Sequence, residues 1–159
     1  MKVIVGISDM KVSKDPEETL ITYSLGSCIG VLIYDPGVKV GGLLHYMLPD
    51  ATIDKQKALE KPFMFATTGI PRLFKEAYNL GATKNRLLVK VVGGSQILDS
   101  AGVFNIGKRN YLVLREMFWK NKVMIAKEEV GGTVNRTISL NIGTGLTILK
   151  TSGQGEAEI

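Results

Sequence analysis

Along the first half of the chain, aliphatic and β-branched residues gather in short segments bounded by turn-forming residues. Residues 2–8, 20–24, 28–34 and 39–47 carry this pattern, which predicts strands. The rhythm changes over 62–80. There Phe63, Ala66, Ile70, Leu73, Phe74 and Ala77 recur three and four residues apart, which lays them on one face of a helix. Pro71 is expected to kink or divide that helix, because it lacks the N–H that would close a helical turn. Gly81 is placed to cap its C-terminus. Residues 86–92, Arg-Leu-Leu-Val-Lys-Val-Val, predict another strand, ended by Gly93-Gly94. A second helical rhythm over 107–121 gathers Tyr111, Leu114, Met117 and Phe118 on one face. Three late segments, 122–129, 133–141 and 145–150, read as a meander separated by Gly131-Gly132 and Gly143. Strands dominate and the helices do not alternate regularly with them. The pattern therefore predicts an α+β fold, with two main helices packed on an antiparallel or mixed sheet.

At 159 residues the chain is expected to form a single domain over 1–159, with the small, polar stretch 151–159 as a flexible tail. A hydrophobic fraction of 45% is enough for a real core. No apolar run approaches the roughly 20 residues of a membrane span, so no membrane insertion is expected. The apolar N-terminus is short and lacks a small-residue cleavage pattern, and reads as a first strand. The formal charge of +5 is spread along the chain. Its nearest approaches to clusters, Lys84/Arg86/Lys90 and Lys108/Arg109, do not interleave with aromatics, so nucleic acid is not the expected partner. An acidic protein partner or a solvated surface fits the mild excess.

The chain has one cysteine and one histidine, Cys28 in Ser24-Leu25-Gly26-Ser27-Cys28 and His45 in Gly41-Gly42-Leu43-Leu44-His45. A lone cysteine cannot form an internal disulfide, which points to a reducing, cytoplasmic setting. The segment between the two residues contains Asp35-Pro36-Gly37, a strong turn signal. A hairpin turning between Pro36 and Gly37 sets Cys28 opposite His45 on one side of the ladder, with Cβ atoms about 4.5–5.5 Å apart. A three-residue loop would instead put them on opposite faces.

A facing thiol and imidazole can perform nucleophilic acyl transfer. The imidazole takes the thiol proton, the sulfur attacks a carbonyl, and the imidazolium protonates the leaving group. The backbone of Gly26, Ser27 and Cys28 is suited to supply N–H donors to the oxyanion. A third group orients such a histidine. The local candidates are Thr22, Asp35, Asp50 and Asp54; Asp35 lies at the far end of the hairpin, and the residues do not decide between Thr22 and Asp50. Each residue also has a plainer reading, Cys28 as a small buried hydrophobe and His45 as a half-buried strand residue. Too few soft ligands lie nearby for a metal site, and no cofactor motif is present. Gly93-Gly94-Ser95 lacks the spacing of a phosphate loop; it reads as a tight bend that lines a pocket. Phe104, in Ala101-Gly102-Val103-Phe104-Asn105, is either a partner-facing aromatic or a buried anchor.

These motifs together resemble the CheD family of chemoreceptor glutamine deamidases. The resemblance rests on Thr22-x-Ser24-Leu25-Gly26-Ser27-Cys28, Tyr34-Asp35-Pro36 and Gly41-Gly42-x-x-His45-x-x-Leu48-Pro49. It continues through Lys90-Val91-Val92-Gly93-Gly94-Ser95, Ile106-Gly107-x-Arg109-Asn110, Gly131-Gly132-x-x-Asn135-Arg136 and Thr144-Gly145. It implies deamidation of receptor glutamines to glutamate, with Cys28 as nucleophile, His45 as base and acid, and Thr22 as the orienting partner. It also implies an α/β/β/α sandwich similar to the catalytic domain of cytotoxic necrotizing factor toxins, and binding to a CheC-type phosphatase. Val92 departs from the aromatic that many members carry before the first glycine. The same chemistry could hydrolyse receptor methyl esters. Two rival expectations stand beside this: a non-catalytic regulatory module that binds the phosphatase, and a cysteine peptidase.

Overall fold

A computed structural model describes residues 1–96 and 105–159. Among the described residues, ten strands form two mixed sheets of five. The first contains β1 (Lys2–Ile4), β3 (Thr19–Leu25), β8 (Arg136–Asn141), β9 (Thr147–Thr151) and β10 (Gly155–Glu158), in that order. The second, in spatial order, contains β2 (Asp9–Ser13), β5 (Val40–Tyr46), β4 (Ile29–Asp35), β6 (Leu88–Gly93) and β7 (Lys127–Val130). The helices are α1 (Lys55–Glu60), α2 (Ala66–Asn79) and α3 (Ile106–Lys120). This is the expected α+β sandwich with mixed sheets.

The second sheet lies between two apolar layers, so its central strands β4 and β5 are buried along their whole length. One face, with Ile29, Val31, Ile33 and Leu44, packs on Ile70, Leu73 and Phe74 of α2 and on Leu114 and Phe118 of α3. The other, with Leu32, Tyr34 and Leu43, packs on Leu20, Ile138, Leu140 and Leu149 of the first sheet. The continuous apolar runs of these strands follow from burial on both sides.

Four sequence expectations change in detail. The stretch 62–80 is a 3-10 turn at Pro62–Met64 followed by α2; the break falls at Phe65, which is extended and bridges Leu48. Helix α2 runs on through Pro71, which is exposed, while Ile70, Leu73, Phe74 and Ala77 stay buried. The late segments are not one meander, because β7 pairs in parallel with β6 while β8 and β9 belong to the other sheet. The tail expected to be flexible is an exposed edge strand, with Gly155–Glu158 paired antiparallel to β9. Gly81 caps α2 with φ +107°, as its position predicts.

Candidate functional site

His45 lies on β5 and Thr22 on β3, so the two come from different sheets and meet in the layer between them. Thr22 Oγ1 lies 2.7 Å from His45 Nδ1 and donates to the Val5 carbonyl, also at 2.7 Å. A hydroxyl has one hydrogen, and a carbonyl can only accept. The hydroxyl hydrogen therefore goes to Val5, and Oγ1 accepts the Nδ1–H of His45. That tautomer leaves the lone pair on Nε2. Nε2 is buried and has no hydrogen-bond partner among the described residues. Burial pushes the His45 pKa down to about 4, so the ring is neutral at pH 7.

The other orienting candidates lie elsewhere. Asp50 caps the turn at Ala51–Ile53, and Asp54 caps α1. Asp35 sits at the far end of the hairpin, held by Arg86.

The hairpin register differs from the expected one. Its last pair is Asp35↔Val40, the loop is Pro36 to Lys39, and the residue opposite His45 is Gly30. Asp35 stays in the ladder because its carboxylate accepts from the Gly37 and Thr83 amides and from Arg86, and Lys39 takes a left-handed conformation to close the loop. The turn centre therefore moves on by one residue. That shift is even in register, so it preserves the face. Cys28 precedes β4 and continues the Gly30 side of the ladder, diagonal to His45 rather than opposite, with Cα atoms about 7–8 Å apart by ladder geometry. Cys28 is half-buried against the inter-sheet core. Burial pushes its thiol up to about 11, against the pull of its own backbone N–H. The resting pair is thus neutral thiol and neutral imidazole, without a hydrogen bond between them.

The loop that presents Cys28 is built by a bulge and held by three clamps. Between the pairs Thr22↔Ile138 and Leu25↔Arg136, β3 gains one residue, and Ser24 sits at φ +56°. The bulge bends the chain out of the first sheet toward the second. Beyond it, the Ser95 amide donates to Gly26 O at 2.8 Å, Asn110 Nδ2 to Ser27 O at 2.9 Å, and the Gly94 amide to Cys28 O at 2.9 Å. With three successive carbonyls tied back, no backbone carbonyl among the described residues accepts from the amides of Gly26, Ser27 and Cys28.

The bend at Gly93-Gly94-Ser95 is the second wall of this arrangement. A Cβ on Gly93 would stand 2.2 Å from Cys28 O, and φ there is +110°. Only glycine permits both the close approach and the conformation. Arg136, itself buried, donates to Gly93 O at 3.2 Å and lies 3.1 Å from Ser95 Oγ. The bend at Gly93-Gly94-Ser95 is an expected pocket wall, whereas Arg136 and Asn110 are not among the candidate site residues of the sequence. For Asn110 a signal existed, since it interrupts the apolar face of α3 one turn before Leu114. Phe104 lies outside the described residues.

The fold defines a class, an α+β sandwich of two mixed sheets, with the one cysteine of the sequence packed against the inter-sheet layer that holds its one histidine. Comparison with known proteins narrows it. Residues 47–151 match the family model described as CheD chemotactic sensory transduction. The chain is 56% identical over 151 residues to the probable chemoreceptor glutamine deamidase CheD 1 of Syntrophus aciditrophicus, covering 95% of this chain and 94% of that protein. It is 50% identical to the probable chemoreceptor glutamine deamidase CheD of Solibacter usitatus, covering 96% and 90%. The chain belongs to the CheD family.

Proposed function

We propose that this protein is an amidohydrolase that converts protein-bound glutamine on chemotaxis receptors to glutamate, with Cys28 as nucleophile, His45 as base and acid, and Thr22 as the residue that orients the imidazole. The observation that carries this reading is the Thr22–His45 contact, which places a lone pair on Nε2 in the layer against which Cys28 packs. The names of the curated relatives support the substrate class.

Nε2 takes the thiol proton as the sulfur attacks the side-chain carbonyl carbon. The carbonyl oxygen becomes an oxyanion, faced by the amides of the Gly26–Cys28 loop, including those of Gly26 and Ser27. The imidazolium returns its proton to the amide nitrogen, the C–N bond breaks, and ammonia leaves a thioester on Cys28. Water gives a proton to Nε2 and adds to the thioester, and collapse of that adduct frees glutamate and returns the thiol. Starting from a neutral pair, this is general-base activation rather than attack by a preformed ion pair.

The mild positive charge suits a receptor helix rich in carboxylates. A cytoplasmic location accords with such a substrate; no helix among the described residues is long and apolar enough to cross a membrane. Binding to a CheC-type phosphatase belongs to the same reading, as the link between deamidation and signalling state.

The test is Cys28→Ala incubated with a receptor cytoplasmic fragment, read by ammonia release and by peptide mass spectrometry. Wild type converts specific glutamines to glutamate and leaves the backbone whole; the variant does neither conversion nor cleavage. Conversion by Cys28→Ala at the wild-type rate would overturn the mechanism, and receptor fragments from wild type would make the protein a peptidase.

A further inference from the structure

We propose that Asn110 is a positioning residue that fixes the separation between the nucleophile loop and the strand carrying the base. This rests on the reading of Cys28 and His45 given above.

The paired register of β4 and β5 ends at Ile29↔Tyr46. The next residues outward, Cys28 and Met47, extend beyond that last pair. Asn110 enters at this point. Its Nδ2 donates to Ser27 O at 2.9 Å and to Met47 O at 2.8 Å. One acceptor immediately precedes the nucleophile; the other lies two residues after the base. The side-chain amide therefore acts as an inserted rung, tying the two chain segments where the ladder stops.

The orientation of that amide is fixed by chemistry. Both partners are carbonyls, which only accept, so the NH2 end must face them. Both of its hydrogens are committed. The residue is fully buried, and Oδ1 has no hydrogen-bond partner among the described residues. An orphaned buried acceptor costs stability. Its presence in an apolar helix face points to a task that a leucine could not perform.

Helix α3 is anchored so that this rung cannot drift. Tyr46 Oη donates to the backbone oxygen of Asn110 at 2.7 Å, which ties the helix to β5. One turn earlier, Gly107 meets the bend beside the nucleophile loop; a Cβ there would stand 2.4 Å from Ser95 O and 2.5 Å from Gly94 O. The amides of those two residues hold Cys28 O and Gly26 O. The Gly107 and Asn110 face of α3 thus bears on the nucleophile loop directly through Ser27 and indirectly through the Gly94-Ser95 bend, and on the base side through Tyr46 and Met47.

The experiment compares wild type with Asn110→Ala and with Asn110→Asp, which keeps the shape and removes the donors. Three quantities are read: kcat and KM on a receptor fragment, the pH profile of Cys28 alkylation by iodoacetamide, and the melting curve. We expect kcat to fall roughly 100-fold with KM little changed, as for a reacting group displaced by about 1 Å. Alkylation at pH 7 should become faster in the same folded variants, because a released loop admits water and returns the thiol toward its ordinary pKa of about 8.5. Turnover and thiol reactivity then move in opposite directions, which a uniform loss of folded protein cannot produce when the melting curve remains cooperative. Should Asn110→Ala melt below the assay temperature, Asn110→Asp decides. A folded Asn110→Asp with wild-type kcat and an unchanged alkylation profile overturns the proposal. The alkylation arm needs no substrate, so a failure of the strut is read separately from a failure of wild type to deamidate.

Discussion

The hairpin of β4 and β5 has a buried polar group at each end, and the two are treated oppositely. At the turn end, Asp35 is fully covered and fully used: it accepts from Gly37 N at 2.8 Å, Thr83 N at 2.9 Å and Arg86 Nε at 2.9 Å. Burial alone would raise its carboxyl pKa, but the Arg86 bond and the two amides outweigh that and hold it below the usual carboxylate range. At the open end, His45 is nearly as buried, yet one nitrogen is held and the other has no partner among the described residues. Nothing there offsets burial, so its pKa falls. A completed buried group stabilises the fold, whereas an incomplete one costs stability and persists where chemistry uses the unfilled valence.

That contrast can be broken by experiment. His45→Ala should lower turnover by about 10⁴-fold or more while costing much less stability than a change at Asp35; steady-state ammonia release and thermal melting read both, and a large melting loss with small activity loss would reverse the assignment. Thr22→Val removes the acceptor that sets the tautomer, and should lower kcat by about 10²- to 10⁴-fold, with Thr22→Ser retaining most activity. Asp35→Ala is the converse case. It should cost about 2–3 kcal/mol in denaturant titration, leaving kcat per folded molecule unchanged. Lowered kcat at full folding would show that the two ends are coupled.

The pH dependence sharpens the same comparison. Because the Cys28 thiol is pushed up to about 11, alkylation should rise about tenfold per pH unit from neutrality toward pH 10. A plateau below pH 8 would indicate a preformed ion pair instead. For His45, the folded pKa lies below the unfolded value, so the unfolded state binds protons first as pH falls. Its contribution is fully present above pH 6.5 and is lost between pH 6.5 and about 4. In His45→Ala the melting midpoint should fall less across that window.

Most strands and the two long helices were legible from their apolar residues, whereas β2 (Asp9–Ser13) and α1 (Lys55–Glu60) fall outside the predicted segments. The apolar spacing of Ile70, Leu73, Phe74 and Ala77 became the packed face of α2. The hairpin register was not legible, since Asp-Pro-Gly marks a turn without stating its centre. What moved the centre was Thr83 and Arg86, distant in sequence, whose donors keep Asp35 in the ladder. An even shift keeps positions 28 and 45 on one side of the ladder, though they no longer stand opposite each other. The choice between Thr22 and Asp50 needed the docking of two sheets, which no local pattern encodes. Gly155–Glu158 is polar and carries no strand signal, yet β9 offers it an edge to pair with.

Thr22 and His45 stand on separate sheets. The His45 ring therefore acquires this tautomer only when the two sheets are closed on each other. A chain still on the ribosome, or one with its first sheet peeled away, carries the same cysteine but an imidazole free to choose either proton position. The proposed site is in this sense armed by the closure of its own two sheets. In a denaturant series, the loss of turnover should track separation of the sheets even where helical content persists, making catalysis the most sensitive gauge of that single interface.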